Sequence, residues 1–176
     1  MLVYTAPLLA LLVCLSCSSK TSTDMKTSKP STDMETSKPS TDTETCLTDQ
    51  ISEITLERWG SFSQLPSYKV ILRSDETVLY IGRAFVEKKG KHTGKLGKFY
   101  FKKLAKLIES EGYFKLRERY PEDAVIEDGY DARVKVMCGD KEKVVFDNAQ
   151  EGPIGLWAIE MAIDAAVGRA RWDIVK

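Results

Sequence analysis

The chain has 176 residues, room for one folded domain and additional segments, and its 26 basic residues balance 26 acidic ones. A net charge of zero points to no bulk attraction for nucleic acid. With a single histidine, His92, and no histidine cluster beside the four cysteines, neither a multi-histidine catalytic site nor a zinc site is indicated.

The chain opens on an apolar run, Leu8 to Leu15, too short to cross a bilayer, which takes roughly 20 apolar residues. It reads as the core of a signal peptide over residues 1–16. Ser16-Cys17-Ser18 follows and resembles a bacterial lipobox, although Cys14 stands where leucine is usual and Met1 to Pro7 carries no Lys or Arg. The resemblance implies that Cys17 becomes an N-terminus bearing long acyl chains of the palmitate kind. Each buried methylene contributes about 0.8 kcal/mol to membrane affinity. Ser18 after the cysteine implies an outer-membrane address in a Gram-negative cell.

Residues 17–45 hold a nine-residue repeat beginning at Ser22, Ser31 and Ser40, built mainly from Ser, Thr, Lys, Asp and Pro with an occasional Met. No repeat has the apolar positions that a solenoid must bury, so the segment is expected to be a disordered tether. As a flexible coil it would average roughly 30 Å end to end.

Residues 46–176 are expected to form one α+β domain: a mostly antiparallel sheet of about five strands with two helices packed on one face. Alternation predicts a strand over Ile51–Trp59, with Ile54, Leu56 and Arg58 sharing a face. Ser67–Arg73 and Thr77–Arg83 form a hairpin, and Phe85-Val86 opens a further strand that runs into a glycine-rich stretch. From Lys98 the period becomes helical, with Phe101, Leu104, Ala105 and Ile108 on one face and Gly112 as the stop. Ala132–Cys138 and Lys141–Phe146 form a second hairpin, and a last helix runs from Ile154 to about Gly168.

The segments Ile54-Thr-Leu-Glu-Arg58, Pro66-Ser-Tyr-Lys-Val70, Gly90-Lys-His-Thr-Gly94, Gly112-Tyr-Phe-Lys-Leu116 with Tyr120, Ala162-Ile-Asp164 and Arg171-Trp172 resemble those of a bacterial domain-of-unknown-function family found in exported proteins and lipoproteins. The resemblance implies a fold and a compartment and brings no activity. Members typically carry a Cys-Phe-Gly-x-Cys-Pro element. Here the segment reads Ser61-Phe62-Ser63-Gln64-Leu65-Pro66, and no role of those cysteines carries over.

Cys46 and Cys138 remain after export, and in an oxidising compartment they are candidates for a disulfide. The alternative is two free thiols, with Cys138 packed as a small hydrophobe. Lys88, Lys89, Lys91, Lys95, Lys98, Lys102, Lys103 and Lys106 form a run free of acids, with Phe99, Tyr100 and Phe101 among them. The first seven are candidates for binding an anionic surface, and the plainer reading is a solvated loop and helix face. His92 has no recognisable catalytic partner, and Glu118, Glu122, Asp123, Glu127, Asp128 and Asp131 lack calcium-loop spacing. No catalytic residue, metal or cofactor is assigned. The expected function is a non-enzymatic binding module on a lipid-anchored envelope protein, its partner an anionic envelope component or a protein. The alternatives are an envelope enzyme of hydrolase type and a structural envelope protein.

Overall fold

The computed structural model describes residues 46–60, 64–127 and 129–173. The leader, Cys17 and the repeat tether lie outside the described residues, as do Ser61, Phe62, Ser63 and Asp128. In chain order the strands are β1 (Ile51–Gly60), β2 (Ser67–Arg73), β3 (Thr77–Ala84), β4 (Gly90–Lys95), β5 (Arg119–Tyr120), β6 (Tyr130–Cys138), β7 (Lys141–Asp147) and β8 (Arg171–Trp172). Helix α1 (Lys98–Ser110) follows β4, and α2 (Ile154–Val167) follows β7. All eight strands join one sheet in the order β5-β7-β6-β1-β2-β3-β4-β8.

The α+β class and two helices are as expected, but the sheet is larger than the expected five strands, and it is mixed. Strand β5 runs parallel to β7, while the other pairings are antiparallel. Strands β5 and β8 are two residues long, too short to show any alternation. The strand expected to begin at Phe85-Val86 lies instead in the glycine-rich Gly90–Lys95 segment. Glycine is depleted in strands because it has no side chain to pack. At Gly94 it is needed, since a Cβ there would lie 2.5 Å from the Arg171 carbonyl oxygen of the neighbouring β8.

Pleating puts Ile54 and Leu56 of β1, Val70 and Leu72 of β2, and Val134 and Val136 of β6 on the helix-covered face, all fully buried. Phe101, Leu104, Ala105 and Ile108 of α1 close the same core with Leu156, Ile159 and Ile163 of α2. Each such side chain contributes about 1.5–3 kcal/mol when fully buried. Tyr113, just after α1, is buried and donates its hydroxyl to the Val134 carbonyl at 2.8 Å. Cys46 and Cys138 are joined by a disulfide with Cα atoms 6.2 Å apart, across 92 residues of chain. Residues 46–173 thus contain a continuous core and a cross-link within it.

Among the described residues the other sheet face carries no helix, and it is laced with ion pairs, as a largely antiparallel sheet covered on one side allows. Glu57, at its centre, is held by Arg83 and Arg133. Burial pushes its carboxyl up, but the hydrogen bonds from both arginines outweigh that and hold it below the usual range.

Candidate functional site

The run of lysines is divided by the fold. Lys88 and Lys89 lie in the loop after β3, and all seven candidate lysines are exposed. On β4, His92 pairs with Tyr80 of β3, whose ring stacks on Tyr68 on the helix-covered face. Alternation therefore puts Lys91 and Lys95 on the opposite, open face. Lys98, Lys102 and Lys103 are on α1, as is Lys106. Lys98 and Lys102 border a hollow of about 640 Å³ that also contains Asp49 and Glu109, so its charge is mixed.

Lys103 and Lys106 instead border a groove of about 530 Å³ between α1 and α2. Its floor is Leu104 and Leu107 of α1 against Ala162, Ala165 and Ala166 of α2, and Arg169 stands at the end of α2. The groove exists because alanines on α2 reach only one carbon toward the leucines of α1. No acid lines it. Among the described residues Lys103, Lys106 and Arg169 make no ion pair, while the Lys103 ammonium sits 4.5 Å from the centre of the Phe99 ring. Beside the groove, α2 turns apolar side chains outward: Ile154 is 77 % exposed, Trp157 43 % and Met161 36 %.

The inward face of α2 is the reverse. Arg58, 1 % exposed, donates from Nη1 to Glu160 Oε2 at 2.9 Å, and from Nε and Nη2 to Asp164 Oδ2 at 3.1 and 3.0 Å. The Tyr68 hydroxyl donates to the other Asp164 oxygen at 2.5 Å. Asp147 of β7 belongs to the same row of the sheet, the register running Asp147, Ala132, Arg58, Tyr68. It accepts from the Gly152 amide at 2.9 Å. Two carboxyls thus share one guanidinium, and Asp147 lies near enough to be lowered by its charge. Burial pushes the Glu160 pKa up to about 7, which Arg58 only partly counteracts and Asp147 reinforces. Burial likewise raises Asp147, and it raises Tyr68 with Asp164 adding to the effect. Among the described residues, Glu160 Oε1 and Asp147 Oδ2 have no hydrogen-bond partner. Glu160 is wholly buried, so its ion pair with Arg58 fixes α2 to the sheet, while the Asp164 side chain is 29 % exposed.

None of the candidate residues read from the sequence belongs to this cluster. Its signal was present in the phase of Arg58 with Ile54 and Leu56, and in Glu160 lying beside Ile159 on the buried side of α2. Arg58, Tyr68 and Asp164 also belong to three separate segments that carry the family resemblance, and the fold brings them within hydrogen-bonding distance.

His92 rests its Nε2 2.8 Å from the Lys89 carbonyl and faces the Tyr80 ring, with no carboxylate partner among the described residues. In the acidic stretch Glu122 pairs with Arg117 at 2.6 Å, and buried Asp131 accepts from the Asn148 amide at 2.6 Å. Among the described residues no three His, Cys, Asp or Glu side chains are grouped to hold a metal ion. No helix of the described residues is long and apolar enough to cross a membrane.

Residues 52–167 match the family DUF6438, described as a domain of unknown function. No curated protein matches the chain.

Proposed function

The chain belongs to the DUF6438 family, and on that premise we propose that it is a non-enzymatic binding module of the cell envelope, held on a membrane by acyl chains at Cys17 and contacting an anionic envelope component through the α1–α2 face. One observation carries the reading: α2 exposes Ile154, Trp157 and Met161 beside an apolar groove whose only charges are Lys103, Lys106 and Arg169. An apolar face rimmed by one sign of charge suits a partner with apolar and anionic parts.

The distribution of charge along α1 supports it. Lys98, Lys102 and Lys103 occupy the first half of the helix and Glu109 the last turn. This is the reverse of what the helix dipole favours, where each well-placed charge contributes about 0.3–1 kcal/mol. Helix stability does not explain the arrangement, whereas attraction of an anion to the α1 N-terminal half does.

The test is co-sedimentation of a chain starting at Ser18 with vesicles. Binding to phosphatidylglycerol vesicles that weakens with salt, is absent from phosphatidylcholine vesicles and is lost in Lys103→Glu/Lys106→Glu/Arg169→Glu supports the reading. Equal binding to both vesicle types, or none to either, would overturn it. For the anchor, labelled palmitate should enter the wild-type chain in a bacterial host and be missing from Cys17→Ser. An unlabelled wild-type chain refutes the anchor.

A further inference from the structure

The α1–α2 groove has properties beyond those of a face that rests on a surface. Its volume of about 530 Å³ falls within the range of roughly 300–1,000 Å³ of small-molecule sites. The floor is Leu104, Leu107 and three alanines, with the Tyr100 ring and the Ser110 side chain at its edges.

The acids of both helices are engaged elsewhere. Glu160 and Asp164 are turned to Arg58. A Glu109 oxygen accepts from the Thr48 amide at 3.0 Å. Glu111, just past α1, lies against Gly155 at the start of α2, where a Cβ would meet its Oε2 at 2.5 Å. The potential over the groove is therefore set by Lys103, Lys106 and Arg169.

We propose that this groove binds one molecule of an anionic amphiphile, its alkyl chain lying between α1 and α2 and its carboxylate or phosphate head held by Lys103, Lys106 and Arg169. The inference rests on the binding-module reading and names the ligand of the same face. The alkyl floor offers a long chain a continuous apolar contact, and the Ser110 hydroxyl at its edge already donates to the Leu107 carbonyl. Arg169 supplies a planar fork that matches both oxygens of a carboxylate or phosphate, and the two lysines add point charge. A cationic head meets three like charges there, and a zwitterionic head brings one.

The experiment is calorimetric titration of the chain starting at Ser18 with laurate below its micellar concentration. Dodecyltrimethylammonium supplies the same chain with the opposite charge, and acetate supplies the head alone. Saturable 1:1 binding of laurate is expected. It should weaken about ten-fold or more in Lys103→Glu/Arg169→Glu, where two charge-assisted contacts are lost. Acetate and the cationic detergent should show no saturable binding. Ala165→Phe projects a ring into the groove from an exposed position, and should abolish laurate binding while leaving the thermal unfolding temperature unchanged.

Laurate that fails to saturate, or binds no better than the cationic detergent, overturns the proposal, as does laurate binding that survives Ala165→Phe. Phosphatidylglycerol vesicle binding alongside any of these results leaves the binding module standing and removes only the alkyl-chain site. Loss of vesicle binding as well removes both.

Discussion

Both faces of α2 depart from the usual arrangement of a helix on a sheet, although Leu156, Ile159 and Ile163 keep an apolar stripe inside. Its inner face carries Glu160 and Asp164, closed over Arg58, and its outer face carries Ile154, Trp157 and Met161 in solvent. An ordinary surface helix keeps its apolar stripe inside and its charges out. The inner face is accounted for within the chain, because each acid there finds the guanidinium. The outer-face residues are exposed, and under the binding-module proposal they are what a partner would cover. One helix thus sets buried charges that pair within the chain, with only Glu160 Oε1 of their oxygens left unpartnered among the described residues, against apolar residues left in solvent.

The largest expected effect breaks the inner face. Arg58→Met leaves Glu160 and Asp164 without their counter-charge and should cost about 3–5 kcal/mol in urea unfolding. Arg58→Met with Glu160→Met should recover most of that, since a buried ion pair replaced by apolar groups is often neutral. A single variant that loses less than about 1 kcal/mol would mean that the cluster does not fix α2, since losses that small are ordinary for a point substitution.

Acidity tests the same face. Glu160 titrates at 4.5 when unfolded and at about 7 when folded, so between those values the native state holds a proton that the unfolded chain has released. Stability must then fall as pH rises through about 4.5–7 and level off above. The fall from this group is on the order of 3 kcal/mol, because each tenfold difference in proton affinity between the two states is worth about 1.36 kcal/mol. Asp147, also raised, acts in the same direction. Glu160→Gln should flatten the slope of midpoint against pH, and a slope that is unchanged in that variant contradicts the assignment.

Gly152→Ala comes next. Its Cβ would lie 2.9 Å from Asp147 Oδ2 and 2.8 Å from Leu156 Cδ2, a crowding of the overpacked kind that costs about 1–3 kcal/mol, read as a lowered urea midpoint. The smallest effect belongs to the outer face. Trp157→Ser with Met161→Ser should leave stability within about 0.5 kcal/mol while weakening binding to anionic vesicles. If those two exposed residues prove as costly as Gly152→Ala, the contrast between the faces is lost.

Much of the frame was legible from periodicity. The 2-residue alternation of Ile54, Leu56 and Arg58 and the helical spacing of Phe101, Leu104 and Ile108 both mark the buried face. The two sheet edges were not legible. Strands β5 and β8 are set by neighbours distant in the chain, Phe146 beside Arg119 and Gly94 beside Trp172, and two residues hold no period. The groove was half legible: Lys103 stood out as part of a charged run, but Arg169 reaches the same rim from the turn after α2. The sequence also suggested one lysine patch, because adjacency in the chain conceals that β4 and α1 present their lysines on opposite sides of the sheet.

The cross-link from Cys46 to Cys138 has a mechanical consequence. Traction applied through the chain upstream of Cys46 passes across the disulfide to the end of β6, beside the middle of the sheet. The 91 residues between the two cysteines form a closed ring that carries none of this load. Strand β1, the first that a pull from that end would peel away, is inside the ring and keeps its register. With the bond reduced, the same pull would fall on the hydrogen bonds of β1 in succession, from its first residue inward. The cysteine pair makes the domain a fixed weight on a line.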